Sequence, residues 1–559
     1  MTNQARISSN TDWWKKAVIY QIYPRSFYDA NNDGIGDLAG IAAKLDYLND
    51  GRGGGLGVDA IWISPFFPSP MVDFGYDITD YCEVDPIFGD MGDARALIAA
   101  AHARGIHVMI DLVFNHSSDR HPWFLESRRD RTNPRADWYI WADPKPDGAV
   151  PNNWLSFFGG SAWAWDETRG QYYYHTFLKE QPDLNWYQPE LRAALADIMR
   201  FWMKRGVDGF RFDVVNFYAY DRRLRDNPRV PDDQTSVHGD FNPYDRFDAI
   251  YSKGVPEQWE CVAFLRTVMD EGTQITSVGE VGGIQQPEKL IEHAAEHVRS
   301  GKRLHMAYTF AMLTENADLD YWLRIVAHTE RVIGDGWPCW SLGNHDSVRL
   351  KTRFDCRGPR EGLQQAALLF LLSIRGTPIL YYGEEIDMTE VPLTREQIQD
   401  PFGIHFWPEF KGRDGCRSPF PWSSKAPNQG FNQGTAPWLP LGDSPTLDQA
   451  EADPHSTLAV VREMIHLRRR HLALSLGTYK CLMKMGQAVV FERRHGEERF
   501  WVGVNIGPEP QELPLRRVGF DPQRDAAAGR LPLRAFKRNG SLKVDTLELP
   551  GLGFALLHF

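Results

Sequence analysis

The chain has 559 residues, a formal net charge of −12, and 42% hydrophobic and 13% aromatic residues. That length predicts about three domains around a large core, and an acidic chain without a basic patch is a poor partner for nucleic acid. Residues 1–16 contain no apolar segment and no run of 18 apolar residues occurs anywhere, so neither a signal peptide nor a membrane span is expected. Cys82, Cys261, Cys339, Cys356, Cys416 and Cys481 are widely spaced with no CxxC pair. They read as reduced thiols of a cytoplasmic protein.

In chain order, strands are predicted at 18–23, 59–64, 106–113, 208–212, 275–279, 304–308, 339–342 and 378–382. Helical patterns fall between them, for example at 93–104, 190–205 and 360–373. Alternation of apolar strands with helices predicts a parallel sheet covered by helices. Eight such units predict a closed (β/α)8 barrel of the α/β class. The glycine-rich stretch 51–57 is followed by no Lys-Ser/Thr or dinucleotide pattern, so it reads as a turn rather than a phosphate loop.

Two connections are too long for an ordinary barrel repeat. Residues 114–177 are rich in Trp, Pro and Gly and predict a small inserted domain after strand three. Residues 383–457 predict an extended loop region rimming the barrel mouth. The barrel is then expected to comprise 1–113 and 178–474, closed by a helix at 458–470. Residues 475–559 alternate like strands and predict a C-terminal antiparallel β-sandwich.

Chemistry in this architecture sits where strands end. Strand three runs into DLVFNH (111–116), strand four into GFRFDVVN (209–216), strand five into VGEV (278–281) and strand seven into LGNHDS (342–347). One polar residue after an apolar run is usually a helix cap; four at the same face point to a site. Asp213, Glu280 and Asp346 are carboxyl groups of the kind that glycoside cleavage requires, one as acid and another as nucleophile or base. Arg211 precedes Asp213 by two residues, so both project to the same side of a strand. The guanidinium is expected to hold Asp213 ionised.

These motifs, together with WISPFF (62–67), DFGYDITDY (73–81), QPDLNW (181–186), RGTPILYYGEE (375–385) and GRDGCRSPFPW (412–422), resemble the α-amylase family of glycoside hydrolases. The likeness is strongest to its bacterial α-glucosidase and oligo-1,6-glucosidase branch and runs over essentially the whole chain. It implies that Asp213 is the nucleophile, Glu280 the acid/base and Asp346 the stabiliser of the transition state. His116 and His345 would bind hydroxyls of the same glucose, and Tyr76 would stack under its ring. Asp73 and Arg417 would clamp the non-reducing end with Arg413 nearby, Phe177 and Gln181 would line the wall, and Asp111 would orient Arg211. Such a clamp implies exo action on short oligosaccharides. Val214 accompanies α-1,6 cleavage in this branch, whereas residues 216–228 and 412–422 look like enzymes that prefer α-1,4 bonds, some of which transfer glucose to alcohols. Broad or α-1,4 specificity is the expectation.

A sucrose-active or isomerising transglucosylase would use the same carboxylates. The Arg-Leu-Asp-Arg-Asp stretch of isomerising relatives is not found in 281–345. A non-catalytic transporter-associated relative is disfavoured, because the three carboxylates are present. Residues 29–37 place oxygen-bearing side chains at loop positions one, three, five and nine with Gly at six, as in the first part of an EF-hand. The family carries a structural Ca²⁺ or Mg²⁺ here, which implies Asp29, Asn31, Asp33, the Ile35 carbonyl and Asp37 as ligands. An ordinary Asn/Asp/Gly turn is the other reading of the same residues. No cofactor is expected for the chemistry, and monomer and homodimer both remain open.

Overall fold

The computed structural model describes residues 12–231, 241–314, 317–356, 358, 360–523, 525 and 529–559. Eight short strands form one parallel sheet: β1 (Ile19–Ile22), β2 (Ala60–Ile63), β3 (His107–Leu112), β4 (Gly209–Phe212), β5 (Thr276–Val281), β6 (Met306–Thr309), β7 (Cys339–Ser341) and β8 (Thr377–Tyr381). Hydrogen-bonded neighbours run β7–β8–β1–β2–β3–β4–β5–β6. The ring closes where β6 and β7 lie side by side, giving the expected (β/α)8 barrel.

The two-residue period of a strand sorts its side chains between two cores. Ile19, Ala60, Trp62, Met109, Val278, Met306, Tyr308 and Ile379 meet inside the barrel. Tyr20, Ile61, Ile63, Val108, Ile110, Leu112, Phe210 and Phe212 join the larger core outside it. A short helix, Trp13–Lys16, plugs the N-terminal end: Trp13 and Trp14 enter the inner core, and Trp13 stacks on His107 with ring centroids 3.7 Å apart. The other end of the barrel is left for the site.

Register aligns the polar positions. Asp111 pairs with Arg211 across β3–β4, and Glu280 with Tyr308 across β5–β6. The expected fifth strand, 275–279, instead runs to Val281, so Glu280 lies inside β5 rather than beyond it. The helix expected from 360 starts at Leu363.

Between β3 and β4 the chain forms a three-stranded antiparallel sheet (Trp141–Ala142, Trp163–Asp166, Gln171–Tyr174) with the last strand central. It returns to the barrel through bridges His116–Asp183 and Tyr139–Leu184. Helix Pro189–Met203 then leads into β4. The connection after β8 is not bare loop. It carries helices Pro401–Phe406 and Leu447–Ala452 and the 3₁₀ turn Asp414–Arg417.

Beyond helix Thr457–Arg470, a five-stranded and a three-stranded antiparallel sheet enclose their own core, which includes Val490, Trp501, Leu513, Leu547 and Leu557. Two buried arginines lie at this junction, Arg468 bonding within the barrel and Arg493 crossing from the sandwich to it. Arg468 donates to the carbonyls of Leu372, Leu474 and Gly376 at 2.7–3.0 Å. Arg493 donates to Gly477 and Thr478 at 3.0 and 3.2 Å, and to the carbonyl of Ser373. Among the described residues no helix is long and apolar enough to cross a membrane.

Candidate active site

Arg211 lies at the centre of the barrel mouth and is fully buried. Its Nη1 donates to Asp111 Oδ1 and Asp213 Oδ1, both at 2.7 Å. Its Nη2 contacts Glu280 Oε2. The Asp213 and Glu280 carboxyl groups thus sit on two nitrogens of one guanidinium. Tyr308 donates its hydroxyl to Glu280 Oε2 at 2.9 Å. Asp111 is fixed from behind by Trp62 Nε1 and the Tyr76 hydroxyl, each 3.1 Å away. Just after Asp213 the chain turns sharply, because Val214 adopts a left-handed backbone with φ 37°. A β-branched residue is strained there, and such strain persists only where surrounding structure imposes it.

The segment after β7 brings His345 and Asp346 to the same mouth. Gln21 donates its side-chain N–H to His345 Nδ1 at 2.8 Å. The other ring nitrogen is then a donor, 2.6 Å from the Tyr76 hydroxyl, and that hydroxyl donates onward to Asp111. Burial drives His345 down to about 3, so the ring is neutral at physiological pH. Asp346 Oδ1 accepts from Arg413 Nη1 at 3.2 Å and Arg417 Nη2 at 3.1 Å. Burial opposes the Asp346 charge, but His345, Arg413 and Arg417 outweigh it and hold the carboxyl well below its usual range.

Asp213 behaves differently. Burial pushes its carboxyl up to about 7; Arg211 works against the rise, and Asp111 and Asp346 add to it. Burial thus works against the expected hold of Arg211 on the Asp213 charge. The guanidinium is shared with Asp111 and Glu280.

Asp213, Glu280, Asp346, Asp73, Tyr76, His116, Phe177, His345 and Arg413 line one cavity of about 460 Å³. Gln181 stands behind this wall, with Nε2 3.0 Å from Asp73 Oδ2 and 3.1 Å from His116 Nε2. The Tyr76 ring, which lines this cavity, is stacked on His345 with centroids 5.2 Å apart. The expected Asp73–Arg417 clamp is rearranged. Asp73 pairs with Arg413 Nη2 at 2.7 Å, whereas Arg417 is drawn to Asp346 and to the carbonyl of His345 at 2.8 Å.

Several lining residues escape sequence reasoning. Asp400, fully buried, grips Arg413 through Nη2 at 2.7 Å. Phe157, Phe158, Phe217, Phe241, Phe310, Phe402 and Phe410 give the outer cavity an apolar wall. They come from several connections, Phe402 from helix Pro401–Phe406, with no shared periodicity to mark them. Lys253 is buried beneath this wall, donating to the Tyr244 hydroxyl at 2.8 Å and to the Gly283 carbonyl.

The loop 29–37 folds around its own amides. Asp29 Oδ1 accepts from the Asn32 N–H at 2.6 Å, and Oδ2 from the Gly34 N–H and Asn432 Nδ2, both at 2.8 Å. Asn31 Oδ1 accepts from the Asp33 N–H, and Asp33 Oδ1 from the Ile35 N–H. Asp37 caps helix Leu38–Ala43 through the Gly40 N–H. Asp29 Oδ1 also accepts from the Asp33 N–H at 3.2 Å, so both Asp29 oxygens already take two hydrogen bonds, whereas Asn31, Asp33 and Asp37 each keep a hard oxygen with a further lone pair, the chemistry that fits Ca²⁺ or Mg²⁺.

A family model described as "Alpha amylase, catalytic domain" matches residues 21–477. A probable alpha-glucosidase of Rhizobium meliloti is 48% identical over 527 residues, covering 92% of this chain and 94% of the relative. An oligo-1,6-glucosidase of Parageobacillus thermoglucosidasius is 37% identical over 546 residues, covering 90% and 92%. Among solved structures, the alpha-glucosyl transfer enzyme XgtA superposes with a TM-score of 0.91 at 43% identity, covering 98% of this chain and 99% of that one. The trehalulose synthase MutB from Pseudomonas mesoacidophila gives 0.82 at 32% identity, covering 98% and 99%. With this breadth of likeness over the barrel, the insert and the sandwich, the chain belongs to the α-amylase family of glycoside hydrolases.

Proposed function

We propose that the chain is an exo-acting α-glucosidase that releases α-glucose from the non-reducing end of short α-glucosides with net retention. The observation that supports this reading is a hydrogen-bonded barrier at the cavity. Asp73, Arg413 and Gln181 form a hydrogen-bonded wall beside His116 and His345, and Asp400 braces it. A chain-internal glucose has no room to continue past such a wall, so cleavage is confined to a terminal residue.

In the proposed reaction Asp213 attacks the anomeric carbon while Glu280 protonates the departing oxygen. A β-glucosyl ester on Asp213 results. Glu280 then removes a proton from the incoming water, which displaces the ester and restores the α-configuration. Asp346, kept ionised by Arg413 and Arg417, binds ring hydroxyls and favours the oxocarbenium-like transition state. Arg211 stabilises Asp213 as a carboxylate and as leaving group in the second step. A structural Ca²⁺ or Mg²⁺ would be held by Asp29, Asn31, Asp33, the Ile35 carbonyl and Asp37, and would supply only charge that stiffens the loop after β1.

A second reading has support of its own. The phenylalanine wall disfavours ordered water and accommodates an organic acceptor, and solved relatives include a glucosyl transfer enzyme and a trehalulose synthase. Transfer to an alcohol would then compete with hydrolysis. Incubation with maltose, isomaltose, maltotriose, trehalose and sucrose, followed by product chromatography, tests both readings. Glucose as the first product from maltose and maltotriose is expected. Internal cleavage of longer chains, or isomerised sucrose as the main product, would overturn the hydrolytic exo reading.

A further inference from the structure

At the seam between barrel and sandwich, three side chains from three elements converge. His471 follows helix Thr457–Arg470, Glu498 opens strand Glu498–Asn505, and His558 ends strand Phe554–His558. The ladder dictates part of this. His558 pairs with Phe500, and Glu498, two residues before Phe500, shares its face. Glu498 and His558 are therefore diagonal neighbours on one sheet surface. The barrel helix delivers His471 onto that same surface. Phe500 packs against both imidazoles, stacked on His558 at 4.4 Å and edge-on to His471 at 5.0 Å, and the two imidazoles meet edge-on at 5.1 Å.

His471 Nδ1 lies 2.7 Å from Glu498 Oε1, and His558 Nε2 lies 3.7 Å from the same oxygen. All three ligand atoms fall within 4.8 Å of one another. The other carboxylate oxygen, Oε2, accepts from the Ala473 N–H at 2.8 Å, which orients the group. Side-chain exposures of 20%, 28% and 33% leave the cluster reachable from solvent while Phe500 shields one flank.

We propose that His471, Glu498 and His558 form a binding site for a borderline divalent transition-metal ion of the Zn²⁺ type. Two imidazoles and one carboxylate are a set such ions favour, with a fourth position open to water. Tetrahedral ligation needs ligand atoms about 3.4 Å apart, so Glu498 Oε1 moves off His471 and His558 closes by a side-chain rotation. Ca²⁺ and Mg²⁺, which prefer oxygen ligands, are excluded by the two nitrogens. The site is remote from the carboxylates at the barrel mouth. A bound ion would pin the last strand of the sandwich to the last helix of the barrel.

The test uses the full-length chain without a histidine tag and the variant His558→Phe, which keeps the stack on Phe500 and removes the ligand nitrogen. Zn²⁺ affinity and stoichiometry are measured by competition with a chromophoric chelator, and thermal unfolding is followed with Zn²⁺ and with Ca²⁺. One equivalent of Zn²⁺ bound by the unsubstituted chain, a rise in its midpoint of about 2 °C or more at hundredfold excess over Kd, and roughly tenfold or more weaker binding by the variant are expected. Equal Zn²⁺ binding by the two proteins, or none by either, would overturn the site. If Ca²⁺ produced the same His558-dependent shift, the transition-metal assignment would fall.

Discussion

At the residue scale, the proposed mechanism depends on which carboxyl group holds a proton. Asp213 sits near 7 because burial outweighs Arg211, with Asp111 and Asp346 adding to the rise. A protonated Asp213 cannot attack, so kcat/KM should rise with pH through about 7. Asp111→Asn removes one neighbouring negative charge and should move that limb to lower pH, with some loss of rate as Arg211 loosens. A limb that stays in place would contradict the electrostatic role of Asp111. Glu280 should matter in proportion to the leaving group's need for a proton. Glu280→Gln should lower kcat/KM, which reports the first step alone, on maltose by about 10²–10⁴, and much less on 4-nitrophenyl α-glucoside, whose leaving group departs as the anion. Equal losses on both substrates would exclude Glu280 as the acid. Asp213 and Asp346 were legible in sequence because each follows an apolar strand, and Glu280 because it is the lone charge near the end of one. The pairing of Asp73 with Arg413 rather than Arg417 was not, since it depends on how Asp346 and the His345 carbonyl capture Arg417.

At the scale of elements, strands and helices were readable because periods of two and 3.6 are written into them. The alternation that sends Trp62 and Met109 inward and Ile61 and Val108 outward is visible directly. The connections obey no such period. Phe157, Phe217, Phe310 and Phe402 lie in four separate segments and meet only because the barrel gathers the loops at one end. Asp400 is likewise silent in sequence, since its partner Arg413 lies thirteen residues away in irregular chain. The loop 29–37 is an element whose metal reading can be checked by itself. Its oxygens already accept backbone amides, so the fold should survive without an ion. Chelator treatment should lower the unfolding midpoint, Ca²⁺ or Mg²⁺ should restore it, and Asp33→Ala should abolish the restoration. A midpoint indifferent to chelator in the unsubstituted chain would assign the loop to an ordinary turn.

At the scale of the whole molecule, the barrel and the sandwich are joined by a buried arginine as well as by apolar contact. Arg493 satisfies the carbonyls of Ser373, Gly477 and Thr478 at once. Arg493→Met should leave them unpaired and cost about 2–4 kcal/mol, partly offset by removing a buried charge. Calorimetry should show the sandwich transition separating from that of the barrel, whereas a single unshifted transition would show that the seam does not depend on this residue. Three-part organisation was visible in composition, but the seam was not, because an arginine in a strand reads as exposed until its partners are known. The central claim is that Asp213 forms the covalent bond to glucose. The most direct test is to incubate the enzyme with 5-fluoro-α-glucosyl fluoride, digest it, and map the labelled peptide by mass spectrometry. A single fluoroglucosyl adduct on Asp213, absent from Asp213→Asn, is expected; an adduct on another residue, or turnover retained by that variant, would rule out Asp213 as the nucleophile.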